Sequence, residues 1–186
     1  MTGSRHSRRR DRQAVSHHHD VGNDFYRIVL GPSMVYSCAY WTSTEPGYHL
    51  ADAQRDKLDL ICRKLELKPG MRLLDVGCGW GGLALHAARE YGVDIVGITL
   101  SAEQADYARK QVAEAGLTAH VEIRVQDYRD VDDGPFDAIS SVGMAEHVGA
   151  GPYAEYAAIL FRQLKPGGRL LNHQIAELHP APATAR

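Results

Sequence analysis

Leu73-Leu74-Asp75-Val76-Gly77-Cys78-Gly79-Trp80-Gly81-Gly82 begins as an apolar run, meets an acid, and then alternates glycines. An apolar segment with helical spacing follows. This is the pattern of a strand turning tightly into a helix, with bare backbone presented to a ligand. Glycine at 77, 79 and 81 predicts a turn stripped of Cβ atoms, against which a flat nucleoside can lie.

Two nucleotide-type cofactors compete for such a loop. Gly77-x-Gly79-x-x-Gly82 satisfies the dinucleotide fingerprint, which alone is weak. That reading needs an acid roughly 20 residues further on, at the end of the second strand. The second strand, Asp94-Ile95-Val96-Gly97-Ile98-Thr99, runs instead into Leu100-Ser101. Asp75, just before the glycines, suits S-adenosylmethionine (SAM) better, because a carboxylate there takes the amino-acid end of the cofactor through a water or its ammonium group. A glycine-rich turn without a ligand is the plain alternative.

Outward from the loop, strands are predicted near 71–76, 94–99, 119–125, 136–142 and 168–175, and helices near 81–91, 102–115 and 152–164. Such alternation means a parallel sheet covered on both faces, an α/β Rossmann-like architecture. Before it lies a mostly helical lead-in over 17–66. There Leu58, Ile61, Cys62 and Leu65 fall at i, i+3, i+4 and i+7, predicting an amphipathic helix over about 52–66. Residues 1–16 carry Arg5, Arg8, Arg9, Arg10 and Arg12 and read as a disordered basic leader. The domain spans 17–175, and 176–186 reads as a loose tail with Pro180 and Pro182.

The 186 residues suffice for one domain with a core. A net charge of −2 exerts no pull toward nucleic acid, and none is expected as a partner. Three widely spaced cysteines give neither a disulfide framework nor a zinc site. A reducing cytoplasm is the expected home, with no apolar run near the 18 or so residues of a membrane span. Arg8-Arg9-Arg10 lacks the apolar region that an export signal needs.

Several motifs in order carry a resemblance. They are His18-x-Asp20-Val21-Gly22-Asn23-Asp24-Phe25-Tyr26, Tyr36-Ser37-Cys38-Ala39-Tyr40-Trp41, the glycine loop, Gly97-Ile98-Thr99-Leu100-Ser101-x-x-Gln104, Gly143-Met144-Ala145-Glu146-His147-Val148-Gly149, and Asn172-His173. From about His17 to Ile175 the chain resembles the cyclopropane-fatty-acyl-phospholipid synthases and mycolic acid cyclopropane synthases, which are class I SAM-dependent methyltransferases.

The resemblance implies transfer of the SAM methyl to a cis double bond in an unsaturated phospholipid acyl chain, then loss of a proton and closure to a cyclopropane. A carbocation on that route needs a water-poor pocket and a base beside the new methyl. In the family the base is a bound bicarbonate ion, and the matching positions here are Cys38, Glu146 and His173. Positions matching the cofactor site are Tyr36, Ser37, Gly77, Gly79, Thr99, Leu100, Gln104 and Gln126, beside Asp75. The rings of Tyr36, Tyr40 and Trp41 suit a sulfonium or a carbocation. The substrate implies transient contact with the membrane surface, peripheral at its inner face, which the arginine leader would aid.

Each position has a simpler reading. Cys38 suits a small buried hydrophobe, Glu146 a solvated loop and His173 a core strand. Ser101-x-x-Gln104 is also a capping box, and Asp127 suits either an adenine contact or an Asx turn. The His17-His18-His19-Asp20 run is a short histidine tract, and the family pattern needs no metal. Relatives carry a tyrosine at the place of His19, which implies an altered cofactor lid. Ala145 replaces a bulky aromatic, implying a wider acyl channel or a looser site. The family sheet has seven strands in the order 3-2-1-4-5-7-6, and five are legible here. The chain therefore reads as truncated after the fifth strand, with that strand at an open edge. The family's C-terminal tyrosine and helical cover for the acyl chain have no counterpart in this sequence. Two other readings stay open: a catalytically impaired SAM-binding relative, and a SAM-dependent methyltransferase for another substrate.

Overall fold

The structure is a computed structural model that describes residues 23–149 and 151–176. The basic leader, the histidine run and all of the tail beyond Ala176 lie outside the described residues. In chain order the elements are α1 (Asn23–Leu30), α2 (Leu50–Lys64), β1 (Arg72–Val76), α3 (Gly82–Tyr91), β2 (Asp94–Thr99), α4 (Ala102–Glu114), β3 (Val121–Val125), a 3₁₀ turn (Tyr128–Asp130), β4 (Phe136–Val142), α5 (Ala145–Val148), α6 (Tyr153–Arg162) and β5 (Leu164–His173).

The five strands form one parallel sheet in the order β3-β2-β1-β4-β5. Because β1 is central, alternate residues enter opposite cores. Leu73 joins Leu58, Ile61, Cys62, Ala84, Ala87, Ala105, Ala108 and Ile123 under α2, α3 and α4. Leu74 and Val76 join Ile98, Phe136, Ile139, Tyr156 and Leu160 on the other face, under α6. The alanines of α3 and α4 let those helices approach the sheet closely. Leu73 and Leu74 are fully buried, and truncating either to alanine would cost about 2–5 kcal/mol.

Two sequence expectations need correcting. The lead-in contains two helices, but residues 31–49 between them are irregular, broken by Pro32 and by Pro46-Gly47. The last strand begins at Leu164 rather than 168, and ends at His173 rather than 175. Lys165-Pro166-Gly167, left between the predicted helix and strand, belongs to the strand, accommodated by a register shift opposite Phe136–Ala138. As an edge strand among the described residues, β5 tolerates Pro166, whose missing N–H would break a central ladder.

A parallel sheet brings all its strand ends to one rim. Gly77, Leu100, Gln126, Gly143 and His173 follow or close the five strands there, where α/β sheets hold ligands.

Candidate active site

The three glycines of the loop do different work. All have positive φ (+78°, +56° and +84° for Gly77, Gly79 and Gly81), the region in which a Cβ is costly. The Gly77 and Cys78 N–H groups both donate to Ile98 O at 2.9 Å, which folds the turn back over β2. A Cβ at Gly77 would lie 2.5 Å from Met144 Cγ and Sδ, and one at Gly81 would lie 3.0 Å from Ala108 Cβ. At Gly79 it would meet nothing within 4 Å. The expectation of a wholly bare turn is therefore corrected: Met144 covers Gly77, α4 packs against Gly81, and Gly79 is the open cradle.

Asp75 sits beneath this loop, not on it. It is 3% exposed and accepts the Ser140 hydroxyl at 2.6 Å, the neighbour that parallel register places beside it. Burial pushes its pKa up to about 6, while the Ser140 bond and the Lys57 ammonium hold it down. Beyond β2, Ser101 caps α4 by accepting the Gln104 N–H at 3.2 Å. The Gln104 side chain does not close the capping box; its Oε1 accepts the Thr99 hydroxyl at 2.7 Å, and both residues are buried. Leu100 is half-buried between them. Gln126 donates to Asp130 O at 2.8 Å. Asp127 is buried and accepts from the Arg129 guanidinium at 2.6 and 2.8 Å as well as from the Arg129 N–H, so it serves a turn.

Residues 36–40 reach the same rim. Cys38 Sγ lies 3.9 Å from His173 Nε2, although 135 positions separate them. Glu146, at the start of α5, accepts the Ile175 N–H at 2.7 Å, two residues past His173. His173 O in turn accepts the Gly143 N–H at 2.9 Å. The structure thus brings Cys38 and His173 together, and ties Glu146 to the same strand end. All three are exposed, so the water-poor enclosure expected from sequence is not formed by the described residues. Tyr36, Tyr40 and Trp41 are likewise exposed. A groove of about 680 Å³ opens beside the pair, lined by Cys38, Tyr40, Lys57, Leu171, Asn172 and His173 among others.

Sequence reading missed Gln54, Lys57 and Ser140, and it quoted Trp80 and Asn23 in separate motifs without pairing them. Lys57 Nζ donates to Ser37 Oγ at 2.8 Å, and Gln54 Nε2 donates to Val35 O and Ser37 O. Both residues interrupt the apolar stripe of α2 at helical spacing from Leu58 and Ile61. A polar residue on a buried stripe is the signal that could have found them. Trp80 packs on Tyr26 with ring centroids 4.8 Å apart, and its indole N–H reaches Asn23.

Strand order 3-2-1-4-5, a glycine turn after the central strand and polar side chains along the carboxyl rim together define the Rossmann-like fold of SAM-dependent methyltransferases. The chain belongs to the family described as mycolic acid cyclopropane synthetase, whose sequence profile matches residues 6–186. It is 51% identical over 173 residues to a probable fatty acid methyltransferase of Mycobacterium tuberculosis, covering 93% of this chain and 40% of that relative. It is also 51% identical over 158 residues to the cyclopropane-fatty-acyl-phospholipid synthase of Escherichia coli, covering 85% of this chain and 39% of that protein. Among solved structures, the mycolic acid cyclopropane synthase CmaA1 complexed with SAH and CTAB matches with a TM-score of 0.77 at 38% identity, covering 83% of this chain and 53% of the other. The chain thus spans about 40% of the length of these two relatives. No helix among the described residues is long and apolar enough to cross a membrane.

Proposed function

We propose that this chain carries the cofactor half and part of the catalytic centre of a cyclopropane-fatty-acyl-phospholipid synthase-type transferase, acting on unsaturated acyl chains of phospholipid with SAM as methyl donor. The meeting of Cys38 and His173 carries the reading, with Glu146 fastened to the same strand end. Simple methylation of a heteroatom has no use for such a set.

Open backbone at Gly79, together with Thr99 at the end of β2 and Gln104 in the first turn of α4, fits the nucleoside and amino-acid parts of SAM. When bound, SAM would supply the methyl group. Tyr36 and Ser37 serve the cofactor site in this reading, since an aromatic face such as that of Tyr36 attracts a cation. Cys38 and His173 offer donors and Glu146 an acceptor, a combination that fits a bicarbonate ion with its oxygens and its hydroxyl. Their work in this reading is to hold the base at the methyl that loses a proton. Because these three groups are exposed, cover for the cation must come from outside the described residues, the acyl substrate included. Delivery of that substrate calls for transient contact with the membrane surface.

Lipid mass spectrometry of unsaturated phospholipid vesicles incubated with SAM and the 186-residue chain tests the reading. A gain of one CH2 per acyl chain, lost in Glu146→Gln, supports it. No gain from a protein that melts later with S-adenosylhomocysteine (SAH) would restrict the chain to cofactor binding.

A further inference from the structure

Gln54 and Lys57 lie on the buried side of α2, 4% and 9% exposed. Polar groups withdrawn from water are costly unless bonded, and the side-chain nitrogens of both residues are bonded to one place, while Gln54 Oε1 is left without a partner among the described residues. Gln54 Nε2 reaches Val35 O at 3.3 Å and Ser37 O at 3.0 Å, and Lys57 Nζ reaches Ser37 Oγ at 2.8 Å. The Tyr40 N–H adds a bond to Ala53 O at 3.1 Å. Four bonds from little more than one turn of helix hold a segment with no regular structure of its own.

We propose that Lys57 is a positioning residue of the site, acting through Ser37: its ammonium, donating to the Ser37 hydroxyl, fixes the Tyr36–Tyr40 segment and its Cys38 to the helix that packs against β1, the strand that leads into the glycine loop. The use of that segment rests on the functional reading above; the anchoring does not. Two facts beyond the hydrogen bond support a role for charge rather than bulk. Lys57 lines the groove beside Cys38 and His173, and its electrostatic neighbours are Asp75 and Cys38, one from each part being joined. Burial lowers its pKa to about 8 against their pull, which leaves the ammonium charged at neutral pH.

Hydrogen exchange at the Tyr40 amide, read beside SAH affinity by calorimetry, tests this on the whole chain. Lys57→Met and Ser37→Ala should each speed Tyr40 exchange by about tenfold, the weight of one hydrogen bond to a charged group, with β1 amides unchanged. Lys57→Arg should stay close to the parent. A space-filling role predicts the reverse order, since methionine matches the lysine stem and arginine overfills it; that order would overturn the proposal. Unchanged exchange in Ser37→Ala would overturn it as well, and this variant decides the matter if Lys57→Met fails to fold. Weaker SAH binding in the fast-exchanging variants connects the anchor to the cofactor. A parent chain that ignores SAH overturns the functional reading alone, and the exchange data still judge the anchor.

Discussion

The indole N–H of Trp80 donates to Asn23 Oδ1 at 2.7 Å, joining the glycine loop to α1 across 57 positions of sequence. Trp80 is 3% exposed and shares a small core with Tyr26 and Met34. Trp80→Phe keeps most of the ring contact and removes the bond. It should cost about 1 kcal/mol and make α1 more open to limited proteolysis. Asn23→Ala should do the same, and the double variant should add little, as a double-mutant cycle in denaturant would show.

Asp75 gives a pH dependence whose sign is opposite to that of most carboxylates. Its folded pKa is raised to about 6, above the unfolded value. The folded chain therefore keeps a proton that the unfolded chain releases. The associated stability is fully present below about pH 4 and is lost as pH rises through about 6. Asp75→Asn removes this dependence. Between pH 4 and 7 the stability of Asp75→Asn relative to the parent should rise by roughly 2–3 kcal/mol, measured by urea unfolding at each pH.

Gly77 and Gly79 should respond differently to alanine. Both pay for a positive φ, on the order of 1 kcal/mol. Gly77→Ala also drives a Cβ into Met144, so it should lose more stability, partly recovered by adding Met144→Ala. Gly79→Ala should lose only the conformational part, yet weaken SAH binding more than Gly77→Ala does, because its new methyl projects into the open cradle. Thermal unfolding with and without SAH separates the two effects.

The three thiols should report the site to an alkylating reagent. Cys38 is exposed, whereas Cys62 and Cys78 are buried. Burial pushes the Cys62 thiol up to about 12 and raises that of Cys78 as well, and a thiol held protonated reacts slowly. Iodoacetamide should label one cysteine in the folded chain and three after denaturation. His173→Ala should change the rate at Cys38 and at no other thiol, as peptide mass spectrometry would show.

Much of this arrangement was legible from periodicity alone. Apolar spacing located α2, because Leu58, Ile61, Cys62 and Leu65 are all buried on one side. Strand, glycine turn and helix around Gly77 followed from residue types that leave little choice. Residues 35–40 were not legible as structure, because their backbone is held by side chains of α2 and not by a repeating ladder. Nor was the start of β5, since Pro166 and the two glycines imitate a turn that the register shift absorbs. The motif Ser101-x-x-Gln104 was half legible. Its serine caps the helix, but whether glutamine bonds to Ser101 N–H or to Thr99 depends on a strand end that only tertiary structure brings near.

The 135 positions between Cys38 and His173 also impose an order of events during synthesis. A ribosome releases the chain from its amino end. The cysteine, its helical anchor and the glycine turn all emerge while the histidine strand is still untranslated. Throughout that interval a nascent chain can hold its first strands paired, yet it shows the thiol without its imidazole neighbour. The Cys38–His173 contact therefore cannot form before the fifth strand is added, and its arrival marks that addition.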